Sequence, residues 1–251
     1  MYERFARVFH EGPYTAFSRR IAQNFIKILK NFYIRGNKVL DVACGEGTFA
    51  VAIAKQGFEV VGVDISEEML KFAKKRAKKE KVSVVFLRKD MRNLDFQEEF
   101  DIATCWFDSL NYLLDYNELK ATFEGVWNAL KPGGVFLFDM NTVYGLFMAS
   151  QEGPIYIQQS GENIFEVQDI EFDLESSVAT FYVTVFERRK ENLWERFDEI
   201  HREKGYKIKE IASALSTVGF TFSFYEDLLK KTLLSRFTRR LWCVARKETK
   251  E

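Results

Sequence analysis

The sequence predicts an α/β fold: a seven-stranded, mostly parallel sheet with helices on both faces, plus a small antiparallel sheet inserted late in the chain. Three observations carry this. Short apolar runs alternate with helix-period segments from Val39 to Met140. A glycine turn, Gly45-Glu46-Gly47, closes the first of those runs. The apolar period then changes from helical to two between residues 155 and 201. Alternating strand and helix signals imply crossovers in a parallel sheet. Period two implies antiparallel strands with one wet face.

The 251 residues fit one domain carrying an insertion, read here as 1–251 with a helical cover over 1–36 and an antiparallel lid over 155–201. Basic and acidic residues number 37 each, a balance that argues against a general affinity for nucleic acid or an anionic membrane. Cys44, Cys105 and Cys243 are far apart and form no CxxC. Neither a disulfide framework nor a zinc cluster is indicated, and a reducing cytoplasm is expected. His10 and His201 are the only histidines, so no metal site is expected. No apolar run approaches the roughly 20 residues of a membrane helix. The first residues mix charge with aromatics, unlike a signal peptide.

Residues 1–17 read as irregular and aromatic, with Tyr2, Phe5, Phe9, Tyr14 and Phe17 broken by Gly12-Pro13. Phe17, Ile21, Phe25, Ile28 and Leu29 then recur at helical spacing, with Ser18 as N-cap and an end near Gly36. This segment is expected to pack on the sheet edge or cover the mouth of the site. Strands are predicted at 39–43, 59–64, 83–87, 100–106 and 135–140, and a helix at 47–56. Ser66 should cap a helix whose first turn holds Glu67 and Glu68, where acids favour the dipole. Leu119, Phe123, Val126, Trp127 and Leu130 give a later helix one apolar face, stopped by Lys131-Pro132-Gly133-Gly134. Period-two segments at 165–172, 178–186 and about 193–200 form the inserted sheet. Ile208, Ile211 and Leu215 mark a last helix ending at Gly219, before a hairpin-like pair near 220–225 and 240–246. The basic run 71–81 reads as a solvated helix face.

Gly45-x-Gly47-x-x-Ala50 fits the dinucleotide fingerprint, and Asp64 stands where a ribose-binding acid belongs. Asp41, however, precedes the glycines, and its carboxylate would repel a pyrophosphate. It would attract a ligand bearing an ammonium and a sulfonium. Asp90 followed by Met91 offers an acceptor for an exocyclic amine beside an apolar side chain. These features turn the reading away from a nicotinamide cofactor.

With these motifs the sequence resembles the class I S-adenosylmethionine-dependent methyltransferases, with their Rossmann-like sheet. Residues 39–47, 60–66 and 89–91 look like their first three motifs, and 100–105 and 129–134 like the later ones. The resemblance spans about 37–140 and resumes at 206–246. It implies S-adenosyl-L-methionine as cofactor and S-adenosyl-L-homocysteine as product. Gly45 and Gly47, with Ala43, would let the backbone pass the methionine moiety. Asp41 would help hold its amino group. Asp64 would bind both ribose hydroxyls, Ile65 and Met91 would sandwich the adenine, and Asp90 would accept from its exocyclic amine. Cys105 would lie on the sulfonium side, as pocket lining rather than nucleophile.

Asp108-Ser109-Leu110-Asn111-Tyr112-Leu113 and 199–206 look like the small-molecule branch, and Trp106-Phe107-Asp108 replaces the Asn-Pro-Pro-aromatic motif of nucleic-acid amino-methylating enzymes. The expected acceptor is therefore a small molecule methylated on N or O, with nucleic acid and membrane not expected as partners. RNA or protein methylation, and a non-catalytic cofactor-binding regulator, are the alternatives. Tyr14, Trp106, Phe107 and Asp108 are acceptor-pocket candidates. His201 is the candidate general base by residue type, with a structural histidine at the junction of insert and core as the plain alternative.

Overall fold

The computed structural model describes residues 4–159 and 163–248; Tyr2 and the insert's 160–162 lie outside them. The chain opens with helices α1 (Phe5–Glu11) and α2 (Thr15–Asn31). It continues through β1 (Lys38–Val42), α3 (Thr48–Ala54), β2 (Glu59–Asp64), α4 (Glu67–Glu80) and β3 (Val85–Arg88). Then come β4 (Phe100–Cys105), α5 (Tyr116–Ala129), β5 (Leu130–Asn141) and α6 (Val143–Gln151). The inserted strands are β6 (Ile155–Gln159), β7 (Ile164–Asp173), β8 (Val178–Lys190) and β9 (Leu193–Lys204). Helix α7 (Ile208–Val218) and strands β10 (Thr221–Tyr225) and β11 (Arg240–Arg246) complete the fold.

The seven-stranded sheet has the order β10-β11-β5-β4-β1-β2-β3, and only β11 runs antiparallel to its neighbours. The four inserted strands form a separate antiparallel sheet, β6-β7-β8-β9. The central strands are buried on both faces because helices cover each side, which is why they read as unbroken apolar runs rather than alternating ones. One layer packs Leu40, Val42, Ala103, Phe136 and Phe138 against Phe123, Val126 and Leu215. The other packs Val39, Ile102 and Leu137 against Phe25, Ile28 and Phe49.

Local chemistry sets the helix limits where it is strong. Ser66 accepts a hydrogen bond from the Met69 amide at 3.3 Å, a cap of about 1 kcal/mol. Lys81 and Gly219, both left-handed, close α4 and α7. Elsewhere long-range packing decides. Residues 5–11 are helical, not irregular, because Phe5 and Val8 bury against Ile164, Val183, Val185 and Phe197 of the inserted sheet. Ser18 lies inside α2, which starts at Thr15 and stops at Asn31, short of Gly36. Helix α6 and strand β6 were not foreseen. Strand β5 begins at Leu130, and residues 131–134 bulge out between the Phe100–Leu130 and Ile102–Val135 pairs. Arg76 corrects the solvated reading of its helix: its side chain turns inward to Glu46, while Lys71, Lys74, Lys75, Lys78 and Lys79 remain exposed.

Candidate functional site

Strand β1 pairs with β2 on one side and β4 on the other, so the chain leaves the sheet in opposite directions at this point. Such a switch opens a crevice at the carboxyl ends of the strands. A cavity of about 200 Å³ lies there. Each strand end contributes in turn: Asp41, Ala43 and Gly45 after β1, Asp64 and Ile65 after β2, Asp90 and Met91 after β3, and Trp106 and Phe107 after β4. Two predicted residues do not line it. Gly47 faces away, where a Cβ would meet Ala73 Cβ at 2.8 Å, so its hydrogen serves the approach of α3 to α4. The Cys105 side chain is wholly buried in the core, and the next residue, Trp106, reaches the cavity instead.

The cavity's charge is set by carboxylates that the backbone or an arginine holds in place. Asp64 accepts the Gly45 and Ser66 amides, each at 2.8 Å, which locks the glycine turn to the end of β2. Asp41 is 2% exposed. Its Oδ1 accepts the Thr104 hydroxyl at 2.8 Å, while its buried Oδ2 accepts no hydrogen bond from the described residues. Burial, opposed by that hydroxyl and reinforced by Asp64, pushes the Asp41 pKa up to about 7. Asp90 accepts from the Arg92 guanidinium at 2.6 Å, and that contact holds its pKa below the usual carboxylate range. Glu46 was missed by the sequence reading. It accepts from the Thr48 amide at 3.1 Å, lies 3.1 Å from His10 Nδ1 and pairs with Arg76. Although burial raises its pKa, the His10 contact and the Arg76 charge bring the net value below the ordinary one. His10 also stacks on Phe72 at 4.5 Å, so Glu46 ties α1 and α4 to the glycine turn.

A second cavity of about 290 Å³ lies between the core and the inserted sheet. It shares Phe9, Phe107 and Tyr112 with the first. Of the acceptor-pocket candidates, Tyr14, Phe107 and Asp108 line it, and Trp106 lines the first cavity. Phe107 and Asp108 both have positive φ, 60° and 51°, a conformation costing about 1–2 kcal/mol per residue. Asp139, wholly buried on β5, holds that turn by accepting the Phe107 amide at 2.7 Å and the Asp108 amide at 3.1 Å. Arg240 of β11 pairs with both Asp139 and Asp108, at 2.6 Å to the latter. Asn141 donates to Asp108 at 2.7 Å and to Glu203 of β9 at 2.8 Å. Burial raises Asp139 to about 6, against the pull of Arg240. Asp139 carried the same signal as Asp41 and Asp64, a carboxylate near the end of an apolar strand. Arg240 carried none, and Glu203 only its place within the 199–206 pattern.

His201 also lines this second cavity, 7% exposed, with the rings of Phe5 and Tyr112 at 5.6 and 6.0 Å. Burial lowers its pKa to about 4, which leaves it neutral at pH 7 and a weak base. Glu203 stands two residues further along the same face of β9. Its pKa moves the other way, well above the carboxylate range, through burial and the neighbouring Asp108.

Comparison with known proteins decides the family. The model of the methyltransferase domain family matches residues 39–134. A Geobacillus sp. (strain WCH70) protein named "Putative methyltransferase GWCH70_2453" is 34% identical, over 98% of this chain and 99% of its own length. The chain belongs to the class I S-adenosylmethionine-dependent methyltransferases. "Putative methyltransferase YqeM" of Bacillus subtilis (strain 168) is 30% identical, over 88% of this chain and 86% of its own length. The crystal structure of an S-adenosylmethionine-dependent methyltransferase from Clostridium acetobutylicum ATCC 824 matches with a TM-score of 0.83 and 26% identity, covering 98% and 99% of the two chains. The cofactor of this methyltransferase is S-adenosylmethionine. Its residues fit that group: the buried Asp41 Oδ2 lacks a donor, and S-adenosylmethionine brings both an ammonium and a sulfonium cation. Among the described residues no helix is long and apolar enough to cross a membrane.

Proposed function

We propose that this methyltransferase moves a methyl group to a nitrogen or oxygen of a small molecule seated between the core and the inserted sheet. One observation carries the reading. The cavity at the strand ends and the cavity under the insert meet at Phe9, Phe107 and Tyr112, so an acceptor space adjoins the cofactor space. In the strand-end cavity, Asp41 holds the cofactor's ammonium, Asp64 its ribose hydroxyls, Ile65 and Met91 its adenine, and Asp90 the exocyclic amine. The turn amides from Ala43 to Gly45 run alongside the methionine moiety. Tyr14, Phe107 and Asp108 wall the acceptor. Residues 4–36 and the inserted strands β6 to β9 act as the cover.

Bound S-adenosylmethionine supplies an activated methyl on a sulfonium whose leaving group is a neutral thioether. The chain's task is then alignment and the exclusion of water rather than acid catalysis. The aromatic rings at the shared boundary exclude water from the path between the two cavities.

Calorimetric titration with S-adenosylmethionine, S-adenosylhomocysteine and NAD tests the cofactor site, and NAD binding without S-adenosyl binding would overturn it. Transfer of labelled methyl to separate small-molecule, RNA and protein pools tests the acceptor class. Label should enter the small-molecule pool; label confined to RNA or protein sinks the small-molecule reading.

A further inference from the structure

We propose that the cavity beneath the inserted sheet selects an amine, holding its nitrogen at the Glu203 carboxylate and its apolar body among the rings of Phe9, Phe107, Tyr112 and Phe181. This rests on the methyltransferase reading and names the acceptor class that reading leaves open.

The charges around the cavity do not balance. Asp108, Asp139 and Glu203 bring three carboxylates, and Arg240 is the cation among them. Its guanidinium is taken by Asp108 and Asp139. Glu203 is 6% exposed and lines the cavity, yet its partner among the described residues is the neutral Asn141 amide, which donates to it at 2.8 Å. No lysine or arginine of the described residues pairs with it. A carboxylate that deep costs several kcal/mol unless a cation or a proton meets it. Its strongly raised pKa shows the same deficit, caused by burial and then by Asp108.

The alternatives fit less well. An anionic acceptor would face an excess of carboxylates with the one guanidinium already engaged. An alcohol would bring no cation, leaving Glu203 protonated, and its methylation would call for a strong base. His201, neutral and weakly basic, is a poor one. A neutral amine needs no strong base: entering as an ammonium it supplies the missing charge, and on giving its proton to the Glu203 carboxylate, whose raised pKa suits it to accept one, it frees the nitrogen lone pair that takes the methyl. Aromatic faces add to the attraction for a cation, by about 0.5–2 kcal/mol each when desolvated.

The test uses the full chain saturated with S-adenosylhomocysteine and three probes of one shape: 2-phenylethylamine, 2-phenylethanol and 3-phenylpropionate. Calorimetry should show the amine binding at least about tenfold tighter than the alcohol, and the carboxylate weakest. Glu203→Gln keeps the acceptor oxygen for Asn141 and removes the charge. It should cut the amine's advantage to about twofold while S-adenosylhomocysteine affinity stays unchanged, which also shows that the variant folds. Equal or tighter binding of the alcohol or the carboxylate, or no binding of any probe, overturns the proposal without recourse to a variant. So does an amine affinity that Glu203→Gln leaves intact. Loss of S-adenosylhomocysteine binding by the native chain would instead break the cofactor reading.

Discussion

The two cavities are built by different means. The one at the strand ends is shaped by backbone: turns that follow β1, β2, β3 and β4 within a few residues of each strand, with Asp64 accepting two amides. The one beneath the inserted sheet is shaped by side chains from distant elements, with Asp139 on β5, Glu203 on β9 and Arg240 on β11 gathered around one turn. A backbone-built pocket depends on the sheet, with a single side chain, Asp64, pinning its glycine turn. A side-chain-built pocket concentrates its cost in a few buried charges. Damage to the first should therefore appear in cofactor affinity, and damage to the second in stability.

Arg240→Met should show the larger effect. It strips the cation from Asp139, a wholly buried carboxylate, and breaking a buried pair in this way costs about 3–5 kcal/mol of stability. Urea unfolding reads it, and adding Asp139→Asn to the same chain should recover part of the loss. Asp64→Ala should cost about 2–5 kcal/mol of S-adenosylhomocysteine binding, roughly 30-fold to several-thousand-fold in Kd, with a smaller loss of stability, about 1–3 kcal/mol, from the amides it leaves unpaired. If Arg240→Met weakened cofactor binding as much as Asp64→Ala while leaving stability intact, the separation of the two regions would be wrong.

That separation also explains what the sequence made legible. Asp41, Gly45, Asp64, Asp90 and their neighbours stand out because each belongs to a strand-end turn whose signature is contiguous. Strand order then needed little more than the alternation of patterns and the rule for crossovers. Residues 5–11 looked irregular because the partners that make them helical, Val183, Val185 and Phe197, lie roughly 170 to 190 residues away. Glu203 was hidden for the same reason. Its neighbour His201 drew attention by residue type alone, yet burial weakens that imidazole as a base while burial and Asp108 make the Glu203 carboxylate a stronger one. Cys105 was misplaced by one residue, since a strand's side chains alternate and Trp106 follows the last paired position.

The paired glycines sharpen the comparison inside the first cavity. Both have positive φ, 55° at Gly45 and 78° at Gly47. A methyl at Gly47 would lie 2.8 Å from Ala73 Cβ, whereas one at Gly45 would meet nothing within 4 Å. Gly47→Ala should therefore lose about 2–3 kcal/mol of stability, adding overpacking to the conformational cost. Gly45→Ala should lose about 1–2 kcal/mol of stability and also weaken cofactor binding, because its methyl projects into the cavity. Thermal unfolding with and without S-adenosylhomocysteine distinguishes them. Equal stability losses would remove Gly47's packing role.

The smallest effect follows from Asp41. Its folded pKa, about 7, stands above the usual carboxylate value, so the native chain binds more protons than the unfolded one between about pH 4 and 7. Stability of the cofactor-free chain should fall as pH rises through that window. Asp139 pushes the same way up to about pH 6, the buried Asp64 and Glu203, both raised, push the same way too, and His201 opposes them below about pH 6.5. Cofactor binding has the reverse sign, because the cation prefers the ionised carboxylate. Affinity for S-adenosylmethionine should rise about tenfold from pH 6 to pH 8, as the ionised fraction of Asp41 grows, which is about 1.4 kcal/mol. Nearby Cys44 stays a neutral thiol over this range, since burial and then Asp64 raise its pKa. Asp41→Asn isolates the group, for it should flatten both slopes while leaving the Asp139 and His201 contributions to stability in place. A native affinity that is level across this range would show that Asp41 does not meet the cofactor's positive charge.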